Sequence, residues 1–259
     1  PARPQLATLP GNEFFCMQLA RAAGLPVADV WLEYLPQPVL FVRRFDRMER
    51  QNAVDRLHMI DGCQVLGLSV GMKYERPYGD RPEVRKIRDG ASLRLLFEAI
   101  NQYSVQPLVD RMTLLRWAIF QVLIGNSDAH GKNVSFFVAP GGLVLAPTYD
   151  LVCIPALEEA QLSRTLAMAI GDSFEATEIT AFDWAQLGHQ AGLRMSAMAK
   201  QMLALVKTTR AGLDEAMRRA DQAGVPANEA ERIKAYVIDA CQAVSSAAKL
   251  VPEVDEKEL

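Results

Sequence analysis

The chain has 259 residues, 50% of them apolar, enough to bury a sizeable core as one large domain or two small lobes. Charged residues make up 23% and the formal net charge is −3, which excludes coating nucleic acid by bulk electrostatics; any DNA contact has to come from a local patch or a basic partner. The four cysteines, Cys16, Cys63, Cys153 and Cys241, stand singly without a Cys-x-x-Cys pair, which argues against a disulfide framework or a cysteine-based zinc site. With no apolar run of membrane-spanning length and no signal peptide, a cytoplasmic protein is expected. The first residue is Pro1 rather than Met, so an upstream segment is expected to be missing.

In chain order, residues 1–11 read as a Pro-rich loop. A helix follows, with Asn12 as its cap, Phe14, Phe15, Leu19, Ala22 and Ala23 at helical spacing, and Gly24 and Pro26 as its stop. Two apolar runs, 30–35 and 39–45, flank Pro36-Gln-Pro38 and predict a hairpin or adjacent strands. Beyond Asp46 the sequence turns charged and irregular, and from about residue 60 onward mainly helical. Residues 92–101 predict a short amphipathic helix, and 110–124 a buried central helix. Residues 134–138 and 143–146 flank Ala-Pro-Gly-Gly, a hairpin signal. Later helices are expected at 180–190, 196–208, 212–223 and 228–250. Helix and strands first, then a large helical region with one inserted hairpin, give an α+β, mainly α, two-lobed molecule with a ligand between the lobes.

The segment richest in chemistry is Ile124-Gly-Asn-Ser-Asp128-Ala-His130-Gly-Lys132-Asn133, at the end of the buried helix. Phosphoryl transfer from ATP needs one carboxylate to orient the attacking hydroxyl and take its proton. It also needs an amide oxygen and a second carboxylate to hold Mg²⁺ against the phosphates. Protein kinases place the first two five residues apart. Asp128 and Asn133 have that spacing, and Asp150 follows one hairpin later. The spacing alone also fits a polar turn, and Asp150 alone also fits a cap. A zinc site at Asp128 and His130 is disfavoured, because His58 and His189 stand in unrelated contexts. The arginines Arg43, Arg44, Arg47, Arg50 and Arg56 read as a solvated face.

The run Gly-Asn-Ser-Asp128-Ala-His130-Gly-Lys132-Asn133 resembles the Gly-Asn-x-Asp-Ala-His-x-Lys-Asn segment of HipA-type serine/threonine kinases, toxins of bacterial toxin–antitoxin pairs. Further matches run in order: Asn12-Glu13, Arg44-Phe45-Asp46-Arg47, Lys73-Tyr74-Glu75, Leu145 to Asp150, and residues 166–168. The resemblance implies a two-lobed kinase-like fold, with residues 1–46 the remnant of a small N-terminal lobe and 47–259 a helical C-terminal lobe. It implies Asp128 as catalytic base, Asn133 and Asp150 as Mg²⁺ ligands, and His130 and Lys132 as catalytic-loop residues. Lys132 would neutralise the transferring phosphoryl group and His130 would fix the loop by hydrogen bonding. Arg44 and Phe45 would border the adenine of ATP, and Glu13 would play the part of the kinase helix-αC glutamate. It further implies a protein substrate, with aminoacyl-tRNA synthetases as the class. The implied partner is a helix-turn-helix antitoxin of HipB type, through which DNA is reached, with no membrane contact.

Two departures stand out. Many relatives carry Val-Glu-Arg-Phe-Asp at the hinge, where this chain has Val42-Arg43-Arg44-Phe45-Asp46. No lysine precedes Lys73, so the phosphate-binding lysine of the family's N-terminal segment is expected outside this sequence, with Lys73 itself expected on the wrong side of the site. Residues 1–259 alone are therefore expected to turn over slowly. The rival readings are a catalytically dead co-repressor acting with its antitoxin, and a kinase for a small molecule.

Overall fold

The computed structural model describes residues 7–51, 53–157 and 162–259. Helix α1, Leu9–Ala22, starts earlier than expected, with Pro10 in its first turn, where a missing N–H costs nothing. Asn12 is not its cap. Its side chain is buried within the helix and bridges to Cys153, donating to the carbonyl at 3.0 Å and accepting from the N–H at 2.8 Å.

The expected hairpin forms from β1, Val30–Tyr34, and β2, Pro38–Val42, antiparallel with Trp31 opposite Phe41. Val30, Leu32 and Leu40 lean on the core, while Trp31 and Phe41 stack on the outer face at 5.3 Å. The charged stretch after Asp46 is not irregular: β3, Arg47–Arg50, pairs with β4, Ala53–Arg56. Its guanidiniums meet carboxylates, Arg50 to Asp55 at 2.5 Å and Arg47 to Asp46. The short strand β5, Met59–Asp61, runs into α2, Gly62–Val65, which Asp61 caps.

Helix α3, Leu93–Tyr103, is capped by Ser92, and α4, Pro107–Ile124, is the expected central helix, with Leu114, Leu115, Ile119, Phe120, Leu123 and Ile124 almost wholly buried. The second expected hairpin is β6, Ser135–Ala139, with β7, Gly142–Leu145, and β5 joins its other edge, setting Asp61 opposite Ser135. A further hairpin, absent from the sequence reading, is β8, Thr165–Ile170, with β9, Ser173–Glu175.

Three helices complete the chain: α5, Ala181–Gln190, α6, Met195–Gln222, and α7, Ala227–Leu250. Residues 196–208 and 212–223 were expected as two helices, but α6 is continuous through Gly212. The glycine is a contact rather than a break: a Cβ there would lie 2.8 Å from the Cβ of Ala22 on α1. Helices α1, α4, α6 and α7 thus share one core, and the architecture is α+β, mainly α. No helix among the described residues is long and apolar enough to cross a membrane.

Candidate active site

Helix α4 ends at Gly125 in the left-handed conformation, φ 66°, whose N–H returns to the carbonyl of Val122 at 3.1 Å. A Cβ at Gly125 would also meet the Tyr236 ring at 2.6 Å, so both backbone and space demand glycine there. The loop is then pinned at every step. Asn126 donates to Gln121 at 2.9 Å and to the carbonyl of Asp150 at 3.2 Å. The Ser127 hydroxyl donates to the carbonyl of Ser163 at 2.7 Å, and the Ala167 N–H donates to the carbonyl of Ser127 at 2.8 Å. The Gly131 N–H donates to the carbonyl of Lys73 at 2.9 Å, an approach so close that a Cβ on Gly131 would lie 2.4 Å from that of Ala91.

This pinning brings the expected residues together. Asn133 is buried; its amide oxygen accepts from the backbone N–H of His130 at 2.9 Å and its nitrogen donates to the carboxylate of Asp150. Asp150 is the sole non-glycine residue with positive φ, 58°, among those described. A strained backbone of that kind persists where the surroundings dictate it. Burial and the nearby charge of Asp128 both push the Asp150 carboxyl up, partly offset by His130, Asn133 and Lys73. Asp128 faces solvent and accepts a hydrogen bond from the Tyr74 hydroxyl at 2.8 Å. His130 is buried, its ring edge-on to Tyr74 with centroids 5.3 Å apart, and burial pushes its pKa down despite the pull of Asp128, leaving it neutral near pH 7.

Each carboxylate of this pair lines a cleft of its own. One, of about 430 Å³, is lined by Glu13, Phe45, Tyr149 and Asp150. The other, of about 510 Å³, is lined by Tyr74, Asp128, Leu162 and Leu166. In the first, Glu13 is half-buried and its pKa is raised to about 7, by burial first and the charge of Asp150 second. Phe45 packs against Phe137 at 6.0 Å and Tyr149 at 5.8 Å, and the Tyr149 hydroxyl donates to the carbonyl of Lys132 at 2.6 Å. Arg44 forks onto both oxygens of Asp46 at 2.7 and 2.6 Å, so the guanidinium that matches the family arginine is answered within its own segment. These contacts hold the Asp46 carboxyl down at about 2.

Lys132 lies in the expected loop with its ammonium already paired, and Lys73 lies elsewhere than the sequence reading has it. The Lys132 ammonium pairs with Asp61 on β5, whose hydrogen bond is the main cause of its raised pKa. Lys73, expected beyond the site, lies against the 124–133 loop, with its ammonium 4.7 Å from the Tyr74 ring centroid and its charge felt by His130 and Asp150. Asp61, Tyr74 and Glu75 are the site residues the sequence reading left without a role. Glu75 is buried, accepts from Arg88 at 2.6 Å and the Ala169 N–H at 2.8 Å, and so ties the Tyr74 segment to β8. The Lys73-Tyr74-Glu75 match was the available signal.

A hard divalent cation fits at the carboxylate of Asp150, which offers oxygen and no sulfur; the Asn133 amide turns its nitrogen to Asp150 and its oxygen to the His130 N–H, so that oxygen would reach a cation through its second lone pair. Among the described residues no three His, Cys, Asp or Glu side chains gather tightly enough to hold a metal. A cation there would share phosphate and water oxygens, as Mg²⁺ does beside a nucleotide.

Residues 2–245 match the model of the HipA-like C-terminal domain. The chain belongs to that family. It is 38% identical over 199 residues to the serine/threonine-protein kinase toxin HipA of Shewanella oneidensis, an alignment covering 76% of this chain and 45% of that protein. The solved structure of HipA from Shewanella oneidensis MR-1, in complex with HipB and operator DNA, superposes with a TM-score of 0.86 at 32% identity. It covers 94% of this chain and 57% of HipA. The Helicobacter pylori proinflammatory kinase CtkA matches in fold, with a TM-score of 0.64 at 14% identity, over 96% of this chain and 86% of CtkA. The HipA-like chain therefore has a kinase-like fold, and it spans about half the length of the curated relatives it matches.

Proposed function

We propose that this HipA-like chain carries the catalytic half of an ATP- and Mg²⁺-dependent serine/threonine protein kinase. The observation that carries the reading is the closeness of Asp128, Asn133 and Asp150, with Asp150 lining one cleft, which this reading gives to the nucleotide, and Asp128 lining another, which it gives to the acceptor. In this reading Asp128 orients the acceptor hydroxyl and takes its proton, an exposed carboxylate with no ion pair among the described residues. Asn133 and Asp150 hold Mg²⁺, which when bound screens the phosphate charge as transfer proceeds. Phe45 and the backbone after β2 border the adenine. Glu13 occupies the nucleotide cleft without an ion pair among the described residues, which suits a helix glutamate awaiting a cation.

The kinship with HipA extends the proposal to a toxin that inhibits translation in the cytoplasm by phosphorylating an aminoacyl-tRNA synthetase. Its partner would be a helix-turn-helix antitoxin of HipB type, through which it reaches DNA, as HipA does in its complex with HipB and operator DNA.

Calorimetry with ATP, with and without Mg²⁺, tests the nucleotide site. Asp150→Ala weakens binding with Mg²⁺ far more than binding without it. Equal losses in the two conditions make Asp150 structural and remove the metal site. Mass spectrometry of a cell lysate treated with the protein and MgATP finds the phosphate on protein serine or threonine; phosphate on a small molecule alone contradicts the substrate class.

A further inference from the structure

The Tyr74 hydroxyl donates to Asp128 Oδ1 at 2.8 Å, in the manner required of an acceptor hydroxyl about to lose its proton. We propose that Tyr74 holds the acceptor position closed, and that the 510 Å³ groove beside it receives a protein segment whose serine or threonine displaces the phenol. This rests on the kinase reading and deepens it by naming the acceptor site.

Three observations carry it. First, the groove is separate from the nucleotide cleft, and Asp128 lines the former while Asp150 lines the latter. An acceptor in the groove and a nucleotide in the cleft would approach each other across the two carboxylates. Second, the backbone on both sides of Tyr74 is fixed. The Lys73 carbonyl accepts from the Gly131 N–H at 2.9 Å, the Glu75 N–H donates to the carbonyl of Ala167 at 2.9 Å, and Gly90 donates to the carbonyl of Glu75 at 3.2 Å. The segment cannot leave, so opening is a rotation of the half-buried Tyr74 side chain alone. Third, the groove wall states what enters. Pro77, Ile154, Leu162 and Leu166 are apolar, and Arg76 and Asp80 neutralise one another at 3.1 Å. The occupant is therefore a hydroxyl flanked by apolar side chains, since flanking carboxylates would lie near Asp128, and Arg76, the cation among the described lining residues, is already paired with Asp80.

The step balances simply. The acceptor oxygen forms a bond to the γ-phosphorus, and the bond from that phosphorus to the β,γ-bridging oxygen breaks with its electron pair leaving on ADP. The hydroxyl proton passes to Asp128. Tyr74 is a positioning residue that must yield first.

The experiment uses the whole gene product and two labelled peptides, one with a single serine flanked by leucines and one flanked by glutamates. Tyr74→Phe keeps the ring against His130 and Lys73 and removes only the hydroxyl. Fluorescence anisotropy without nucleotide should show the leucine peptide binding Tyr74→Phe on the order of tenfold more tightly than the parent, the weight of one hydrogen bond to a charged group. Leu162→Glu should weaken it, and the glutamate peptide should bind worse throughout. With MgATP, Tyr74→Phe should lower the peptide KM by a similar factor at unchanged ATP KM, with kcat no lower. A fall in kcat at unchanged peptide KM would make Tyr74 an aligner of Asp128 and overturn the proposal, as would peptide binding indifferent to both substitutions. The kinase reading fails separately: if peptide binding responds as stated and no phosphate moves under MgATP, the groove stands and the reaction does not.

Discussion

Replacing Asn12 by alanine distinguishes two roles by size. A helix cap lost to alanine costs ~1 kcal/mol. The structure gives Asn12 a different task, two hydrogen bonds to the backbone of Cys153, both partners buried. Truncation would leave a buried N–H and a buried carbonyl unpaired, at ~1–3 kcal/mol each, so a loss of about 3–4 kcal/mol is expected. For a domain of this size that is a fall in Tm of roughly 6–16 °C. Asn12→Asp keeps the acceptor but sets an oxygen against the Cys153 carbonyl, so it should fare no better at neutral pH. Because Cys153 follows Asp150 by three residues, the freed segment should also loosen Asp150 and weaken MgATP binding in protein that remains folded. Thermal melts followed by circular dichroism, with calorimetry at a temperature well below both transitions, measure the two effects. A Tm within about 3 °C of the parent would return Asn12 to the role of a cap and refute the clamp.

Glu13 links stability to pH. Burial pushes its carboxyl up to about 7 in the fold from the ordinary glutamate value of 4.5, so below 4.5 both states are protonated and it contributes nothing. As pH rises from 4.5 through 7 the unfolded chain releases its proton first. Stability then falls, by up to about 3 kcal/mol before solvent screening is allowed for. Glu13→Gln should remove that decline in metal-free denaturation curves between pH 5 and 8; parallel curves for parent and variant would contradict it. Lys73→Met should raise the ATP KM about tenfold or more while leaving Tm within a few degrees, since its ammonium makes no ion pair among the described residues. An unchanged KM would show that its charge beside Asp150 plays no part in holding MgATP.

What the sequence made legible was local. Asp128, Asn133 and Asp150 could be picked out together because they lie within one hairpin of each other in the chain, and the structure does bring them close. Asn12 was misread because its residue type favours caps, while its actual partner lies 141 residues away. Residues 196–208 and 212–223 were read as two helices where α6 is one, and the fit of Gly212 against Ala22 on a distant helix is not visible in local sequence. The β3–β4 hairpin was missed because its arginines satisfy carboxylates rather than an apolar face, leaving no alternation to detect. Lys73 was set aside on chain order, but the fold returns residues 73–75 to the loop through Gly131 and Ala167.

The most direct test of the account is the rate of phosphoryl transfer by Asp128→Asn, which keeps the shape of the side chain and removes its basicity. With the variant shown to melt like the parent, transfer of labelled γ-phosphate to protein should fall on the order of 10²–10⁴-fold, and growth inhibition by the expressed protein should be relieved. A folded variant that transfers phosphate at the parental rate would show that Asp128 is not the base.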